Sequence, residues 1–403
     1  MADNGAPGVS VWAEEKEMDQ VTSHSGKAEH DRHLSGKRIL PGGIEAGETV
    51  ADVLDRTFLA YNAGRLREGV QLFTRKMLDP DVTVGMSLSG AMTPAGLGAS
   101  CVVPLIEAGF VDWIVSTGAN LYHDMHFAFN CKLVAGDFRT DDTALFDAGV
   151  VRIYDVLLSR EQCLLATDQR LRSLLCQAEF QKTMGTAELH YRLGRHCAQA
   201  EEEAGLPHVS VLAAAHRAEL PVYTSSPGDS TIGLEMAAIQ LGGSKLAFDA
   251  VSDVNETAGI FFAAKKTGKK SAVVLLGGGS PKNFMLQTAP HCTDSLGLEL
   301  KGHDYFLQVT DARVDTGGLS GATAHEAVSW GKVDPDRVPD AVSCYCDTTI
   351  ALPLLTSYAL SRHAPRALKR LYRLRAQMTE SLRTEYLAHG HRTPKGLEDG
   401  VRP

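Results

Sequence analysis

Short runs of apolar, β-branched residues recur along the chain, separated mostly by segments long enough for helices. These runs predict strands over 82–86, 113–115, 209–212, 222–223, 245–248, 271–276, 305–309 and 341–346. Strands that alternate with helices are typical of βαβ units with a parallel sheet. The pattern therefore predicts an α/β fold with a doubly wound, mainly parallel sheet, whose ligands bind at the carboxyl ends of the strands.

Apolar periodicity also suggests where the folded region lies. Residues 1–45 lack it, and we predict a mobile arm there. A single α/β domain is predicted over 46–385 and a short tail over 386–403. Apolar residues spaced three to four apart predict helices over 50–61 and 66–77, and a terminal amphipathic helix over 361–383.

Composition and charge narrow the class of partner. The chain has 403 residues, 44% of them hydrophobic, and a formal net charge of -9. The negative charge disfavours nucleic acid and favours a small cationic substrate. A membrane is not predicted, because no apolar run reaches about 18 residues. The eight cysteines lack the spacing of a zinc site or a disulfide framework, and no signal peptide is evident, which favours a reduced cytoplasm.

Small and polar residues follow several predicted strands. Gly277, Gly278 and Gly279 come after the strand 271–276, where glycines let backbone N–H groups approach a pyrophosphate. A tight turn is the alternative interpretation. Similar loops follow at 87–93 and 116–120, and carboxylates follow other strands. Together these loops predict a nucleotide cleft.

The segment 315–332 ends in its only lysine, Lys332. The neighbouring Trp330 and Ala327 could desolvate this amine, which would lower its pKa and leave a neutral nucleophile for an imine or carbonyl. A surface lysine at a loop end is the alternative. The segment is the main candidate for covalent chemistry.

Two strings in the chain resemble one known family. EAVSWGK at 326–332 and LGGG at 276–279 resemble deoxyhypusine synthase, and the similarity runs from about residue 85 to 355. The resemblance implies a Rossmann-like, NAD-dependent transferase that works as a homotetramer, with active sites at subunit interfaces. The family oxidises spermidine, holds the aminobutyl group as an imine on a lysine, and passes it to a protein lysine.

The resemblance also implies site residues by position. Lys332 would carry the imine, Trp330 would pack over the aliphatic amine, and Glu326 is kept as an acid. The cofactor site would be lined, together with Gly277, by Ser89, Thr93, Thr117, Gly118, Asp229, Gly278, Gly279, Thr310, Asp315, Ser320 and Asp347.

Departures from the family concentrate at positions that would hold the amine. Tyr122 and His123 stand where the family has two glutamates, and Asn283 replaces a histidine that is a candidate proton acceptor. Leu234 and Leu319 match aspartates. Because the ammonium groups of a polyamine need carboxylate partners, these changes suggest that the chemistry is kept for a different amine.

We therefore predict an NAD-dependent, redox-neutral amine transferase with Lys332, Trp330, Glu326, Asn283 and His123 at the substrate site. True deoxyhypusine synthase and homospermidine synthase, which hands the aminobutyl group to putrescine, are alternatives. A non-catalytic NAD- or amine-binding protein is another. Whether a protein or a small molecule accepts the group stays open.

A metal site is not predicted from the sequence. His123 and His126 lie three residues apart on a predicted helix, so both could reach one ion. No third ligand is apparent along the chain.

Overall fold

A computed structural model of the chain describes residues 29–36 and 38–389. The chain divides into two compact units, Met1–Ile44 and Glu45–Pro403. Within the first unit, residues 29–33 are helical and exposed. Much of the arm predicted over 1–45, and most of the tail predicted over 386–403, lie outside the described residues. None of the described helices is long and apolar enough to cross a membrane.

Eleven strands are found among the described residues of the second unit. They are β1 Val82–Leu88, β2 Trp113–Ser116, β3 Leu133–Ala135, β4 Val150–Ile153, β5 Val156–Ser159, β6 Thr183–Met184, β7 Val222–Thr224, β8 Ala247–Phe248, β9 Lys270–Leu276, β10 Tyr305–Thr310 and β11 Ala341–Tyr345.

Helices connect and cover these strands. They are α1 Val50–Thr57, α2 Tyr61–Leu72, α3 Val103–Glu107, α4 Gly118–Ala128, α5 Asp142–Asp147, α6 Ala166–Leu175, α7 Thr186–Ala204, α8 Val211–Ala218, α9 Thr231–Leu241, α10 Ala250–Lys266, α11 Gly279–Leu286, α12 Thr288–Pro290, α13 Ala324–Ser329, α14 Thr348–Arg362 and α15 Leu371–His389.

The main sheet has six parallel strands in the order β11-β10-β9-β1-β2-β7. The chain builds outward from β1 in one direction through β2 and β7, then returns to β9 and builds in the other. Two neighbouring strands, β1 and β9, therefore lead into loops that diverge, which opens a crevice at their carboxyl ends. Leu88 and Leu276, the last residues of these strands, pair with each other there. The prediction of an α/β fold with a mainly parallel sheet is confirmed.

Both faces of this sheet are buried. Val84, Met86 and Val274 point into one apolar core with α2, α8 and α14, whereas Val273 and Phe306 point into a second. Side chains of successive strand residues therefore pack into different cores, as expected when helices cover both faces of the sheet. This explains why the strands read as continuous apolar runs.

Gly85 allows β1 and β2 to pack closely. It pairs with Trp113, and a Cβ atom at position 85 would lie 2.6 Å from the buried indole ring. No side chain fits there without displacing the ring, since real carbon contacts do not come so close.

Three predicted elements differ in the structure. The strand predicted over 245–248 is limited to Ala247–Phe248, which pairs with β6 outside the main sheet. The predicted strand 209–212 is wrong, because Ser210 caps α8 by accepting a hydrogen bond from the N–H of Ala213, and the alanines that follow favour a helix. The terminal helix predicted over 361–383 is confirmed only from Leu371, where α15 begins. The preceding helix α14 ends at Arg362, because the ring of Pro365 prevents a continuous helix.

A buried carboxylate fixes the segment between α14 and α15 to the sheet. Asp112 accepts a hydrogen bond of 2.7 Å from the N–H of Val84 in β1. It also accepts from Arg366 at 3.2 Å and lies 3.4 Å from the Lys369 ammonium. The Asp112 side chain is 1% exposed and that of Arg366 is 5% exposed, so each buried charge depends on the other.

We expect Asp112→Ala to lower the free energy of unfolding by roughly 3–5 kcal/mol, because it leaves Arg366 buried without its counter-charge. Asp336→Ala is the control, since Asp336 pairs with Lys301 at the surface, where the loss of an ion pair has little effect on stability. Denaturant titration of both variants measures the difference. Equal losses would contradict a structural role for Asp112.

Candidate functional site

The triple-glycine loop lies at the crevice between β1 and β9. Gly277 and Gly279 have φ angles of +79° and +59°, which glycine adopts without strain. The loop is held on one side by the Ser89 hydroxyl, which donates to the carbonyl of Gly278. On the other side the N–H of Gly279 donates to Ser320 Oγ at 2.9 Å. α11 begins directly after this turn.

Backbones approach each other unusually closely here. An ideal Cβ on Gly278 would lie 2.3 Å from the Cα of Ser320, so only glycine fits at that position. Gly118, the first residue of α4, is similarly crowded, since its Cβ would lie 2.3 Å from Ser230 Oγ. The loop after β9 is therefore packed against the backbone at Ser320, and the start of α4 is packed against the Ser230 side chain in the loop after β7. Ser280 also donates to Ser225 at 2.7 Å, which joins the glycine loop to the end of β7.

Asn120 and Thr117 organise the loop after β1. Asn120 Oδ1 accepts a hydrogen bond of 2.7 Å from the N–H of Met92, and the Thr93 hydroxyl donates to the carbonyl of Asn120 at 2.8 Å. Thr117 caps α4 and donates to the carbonyl of Gly90 at 2.6 Å. These contacts hold Ser89, Thr93 and Thr117 at one end of the sheet.

A buried amine and amide tie the glycine loop to the lysine segment. Lys282 is 3% exposed and donates to Gln308 Oε1 at 2.9 Å and to the carbonyl of Ala322 at 2.5 Å. Gln308 in turn donates to the carbonyls of Gly277 at 3.0 Å and Ser320 at 2.8 Å. Burial lowers the pKa of Lys282 to about 8, an effect that Glu326 opposes and Lys332 enhances.

Lys332 projects into a pocket of about 270 Å³ beside this pair. Its Nζ donates to Asn283 Oδ1 at 2.9 Å and lies 5.5 Å from the centre of the Trp330 ring. Burial lowers the pKa of Lys332, and the nearby Glu326 carboxylate works against that shift. The structure thus brings Lys332, Trp330, Glu326 and Asn283 together around one small cavity.

A second pocket of about 540 Å³ adjoins the first. Asn283, Gln287, Leu319 and Trp330 line both pockets, so the two adjoin along these side chains and are together called the groove. The far end is lined by Ser225 and Ser280 from the strand-end loops and by residues of the 287–295 region. The Lys332 pocket therefore adjoins a pocket whose lining includes Ser280, the residue that follows the glycine loop.

Other predicted site residues lie around or away from this groove. Asp229 is in the loop that crowds Gly118, and Thr310 is buried at the end of β10. Asp347 caps α14, and Asp315 pairs with Arg313 on an exposed turn. His123 is not among the described residues that line the Lys332 groove. It packs on α4 against His126, with 5.1 Å between ring centres.

Lys282 and Gln308 were missed by the sequence analysis. Gln308 carries the one available signal, since it is a polar residue inside the apolar strand run Tyr-Phe-Leu-Gln-Val-Thr. A buried polar side chain needs partners, and here its partners are the loops of the site. Lys282 has no comparable signal, because a lysine in the first turn of a helix is ordinarily exposed.

The family model for deoxyhypusine synthase matches residues 51–359 of the chain. The chain belongs to the deoxyhypusine synthase family. It is 54% identical over 357 residues to the deoxyhypusine synthase-like protein of Nostoc sp. strain PCC 7120, covering 89% of this chain and 93% of that protein. It is also 36% identical to the probable deoxyhypusine synthase 2 of Methanosarcina acetivorans, covering 83% and 95%.

A solved structure supports the family fold independently. The crystal structure of a candidate deoxyhypusine synthase from Entamoeba histolytica superposes with a TM-score of 0.54, covering 82% of this chain and 100% of that one. The identity is 13%, so the likeness concerns the fold alone. The chain is also 53% identical over 353 residues to the deoxyhypusine synthase-like protein of Nostoc punctiforme, covering 88% of this chain and 90% of that protein.

We expect Glu326→Gln to lower the pKa values of both Lys282 and Lys332, because this carboxylate stabilises both ammonium groups. Amine labelling as a function of pH, read by mass spectrometry on the two lysine peptides, measures the midpoints. Exposed Lys301 serves as an internal reference, and Glu299→Gln serves as the control variant. Unchanged or raised midpoints in Glu326→Gln would contradict the proposed electrostatic coupling.

Proposed function

We propose that this protein is an NAD-dependent, redox-neutral aminoalkyl transferase that carries the transferred group on Lys332. Membership of the deoxyhypusine synthase family supports a transferase in general. The observation that carries the proposal is the placement of Lys332. A half-buried amine with a lowered pKa lies in a pocket that adjoins a second pocket lined by Ser280, next to the glycine loop.

The crevice has the features that a dinucleotide needs. Read from β7 to β11, the strand order matches the 3-2-1-4-5-6 order of Rossmann-like sheets, which bind the cofactor where the order reverses. Gly278 lets the backbone at Ser320 approach closely there, and helices start at the strand ends, where anions are favoured. Bound NAD would accept a hydride from the donor amine and later return it. Ser89, Thr117, Gly278 and Asp229 are the residues we assign to hold it.

The chain's own residues would then bind the donor amine and transfer its alkyl group. Oxidation of the carbon next to a secondary amine gives an imine, which the neutral Lys332 amine attacks. The C–N bond to the original amine breaks, that amine leaves with a proton, and the carbon stays bound to Lys332 as an imine. A second amine displaces Lys332, and hydride return completes a secondary amine with no net redox change. Asn283 holds the lysine and Trp330 walls the carbon chain.

The groove supports a donor other than a long polyamine. Of the described residues that line it, Glu326 and Asp294 are the carboxylates, at opposite pockets. Leu319 stands between them, where the family has an aspartate. Tyr122 instead donates a hydrogen bond of 2.5 Å to Asp168, and Arg172 pairs with Glu235 at 2.6 Å. The altered positions thus offer fewer free anions to a polycation, which favours an amine with fewer charges.

Exposed apolar side chains at the groove support assembly with further copies of the chain. Trp330 is 63% exposed and Leu319 is 49% exposed, although both line the groove around the reactive lysine. A chemistry that depends on an imine needs water excluded. A partner subunit over this rim would provide that, in keeping with the proposed homotetramer.

We expect borohydride, added after incubation with NAD and the true donor amine, to trap an alkyl group on Lys332. Purified protein is incubated with spermidine, with spermidine plus putrescine, and with a panel of mono- and diamines. Mass spectrometry then reads both the products and the Lys332 peptide. Lys332→Arg abolishes trapping, whereas Lys301→Arg, an exposed lysine, leaves it unchanged.

The outcomes separate the candidate functions. Turnover of spermidine with release of 1,3-diaminopropane, or formation of homospermidine, would contradict the altered donor while supporting the lysine chemistry. Trapping with another amine supports the proposal as stated. No adduct and no product with any amine, under conditions where NAD binds, would contradict transfer and favour a binding protein.

We expect Gly278→Ala to weaken NAD binding by at least about tenfold, because the new methyl group forces the glycine loop away from Ser320. Gly318→Ala is the matched control, since a Cβ there meets only Thr316 Oγ1 at 3.9 Å. Calorimetric titration with NAD measures both affinities. Equal affinities in the two variants would contradict the assignment of this loop to the cofactor.

A further inference from the structure

Two thiols and an imidazole meet on the opposite end of α4 from the glycine crevice. The ligand atoms of His126, Cys131 and Cys163 all lie within 4.8 Å of one another. His126 is on the last turn of α4, and Cys131 follows that helix. Cys163 comes from the turn Arg160–Leu165 that leads into α6. None of these residues takes part in the chemistry proposed for Lys332.

The local backbone builds this cluster. Asn130 adopts a left-handed conformation with φ of 57°, and the N–H of Cys131 then donates to the carbonyl of His126 at 2.8 Å. This contact closes the end of α4 and folds Cys131 back beside His126. Cys163 reaches the same point from a segment 32 residues further along the chain.

The histidine has one nitrogen engaged and one without a partner. His126 Nδ1 lies 3.0 Å from the Thr167 hydroxyl, which also lies 3.6 Å from Cys131 Sγ. His126 Nε2 is buried and has no hydrogen-bond partner in the part of the chain that the structure describes. An unpaired buried imidazole nitrogen is costly, and a bound ion would satisfy it.

From these observations we propose that His126, Cys131 and Cys163 bind a thiophilic divalent metal ion, with Zn²⁺ as the probe. Zinc bonds of about 2.3 Å to sulfur and about 2.0 Å to nitrogen place tetrahedral ligands about 3.5 Å apart. Small side-chain rotations bring atoms within 4.8 Å of one another to that spacing. Thiolates together with imidazole select zinc-like ions over magnesium or calcium. Thr167 would orient the histidine from the second shell.

A fourth ligand to such an ion would enter from a pocket that borders the cluster. Cys131, Cys163 and Thr167 line a cavity of about 570 Å³, together with Arg170 and the β-strands of the small antiparallel sheet. Three protein ligands with an accessible fourth position are the arrangement of ligand-binding zinc sites. A small anion held near Arg170 would complete the coordination.

Cobalt substitution tests the site on the full-length, reduced protein. We expect Co²⁺ to give a thiolate charge-transfer band and intense tetrahedral transitions at a stoichiometry of one ion per chain. Zn²⁺ should displace it. Cys131→Ser and Cys163→Ser each lose the band and weaken Zn²⁺ binding by at least about tenfold, since loss of a second-shell residue alone costs that much. Cys176→Ser, an exposed cysteine outside the cluster, keeps both.

Alkylation supplies a readout that does not depend on cobalt. Zn²⁺ should protect Cys131 from iodoacetamide while leaving exposed Cys176 reactive, and both appear in one peptide map. Matching circular dichroism spectra of the serine variants show that folding is intact. A cobalt complex without the charge-transfer band, or one that both serine variants retain, overturns the proposal. The proposal is also overturned if the reduced protein does not bind Zn²⁺ and Cys131 and Cys163 form a disulfide once the reductant is removed.

Discussion

The hydrogen-bonded pair of Lys282 and Gln308 is the constraint on which the arrangement of the candidate site depends. Between them they reach the glycine loop through Gly277 and the lysine segment through Ser320 and Ala322. Both side chains are buried, so these hydrogen bonds replace the bonds to water that the side chains lose on folding. The segments that follow β9 and β10 are thereby fixed relative to one another before any ligand binds.

This pair also sets the electrostatics of the groove. A buried lysine with a pKa of about 8 shares its pocket with Lys332, and Glu326 is the carboxylate close to both. The pocket thus holds two lysine amines, Lys282 and Lys332, but one carboxylate, Glu326, among its lining residues. A site of this kind keeps a lysine partly neutral more readily than it binds a polycation, which is consistent with chemistry retained for a smaller amine.

Much of this could be predicted from the sequence because it depends on local patterns. The strands of the main sheet are apolar runs, and the glycines and Lys332 belong to short strings with a recognisable spacing. The strand expected at 209–212 failed because an apolar run of four residues does not distinguish a strand from the start of a helix, and the Ser210 cap decided the matter. Boundaries set by Pro365 were missed for a similar reason, since periodicity continued across it.

The remainder depends on contacts between residues distant in the chain. The partners of Gln308 come from the segments around Gly277, Lys282 and Ser320, and no spacing rule links them. His126 was recognised as a possible ligand beside His123, whereas Cys163 became its neighbour only through the turn before α6. A sequence offers the ligand types, but the fold alone determines which of them meet.

The contact between Gly85 and Trp113 has a consequence for how this family can change over time. Because the indole occupies the space where a side chain at 85 would begin, the two positions cannot vary independently. A larger residue at 85 becomes tolerable only after position 113 has become smaller, so the order in which substitutions arise is constrained. Homologues that carry another residue at 85 should therefore also have lost the tryptophan, and the pair should co-vary across a deep alignment.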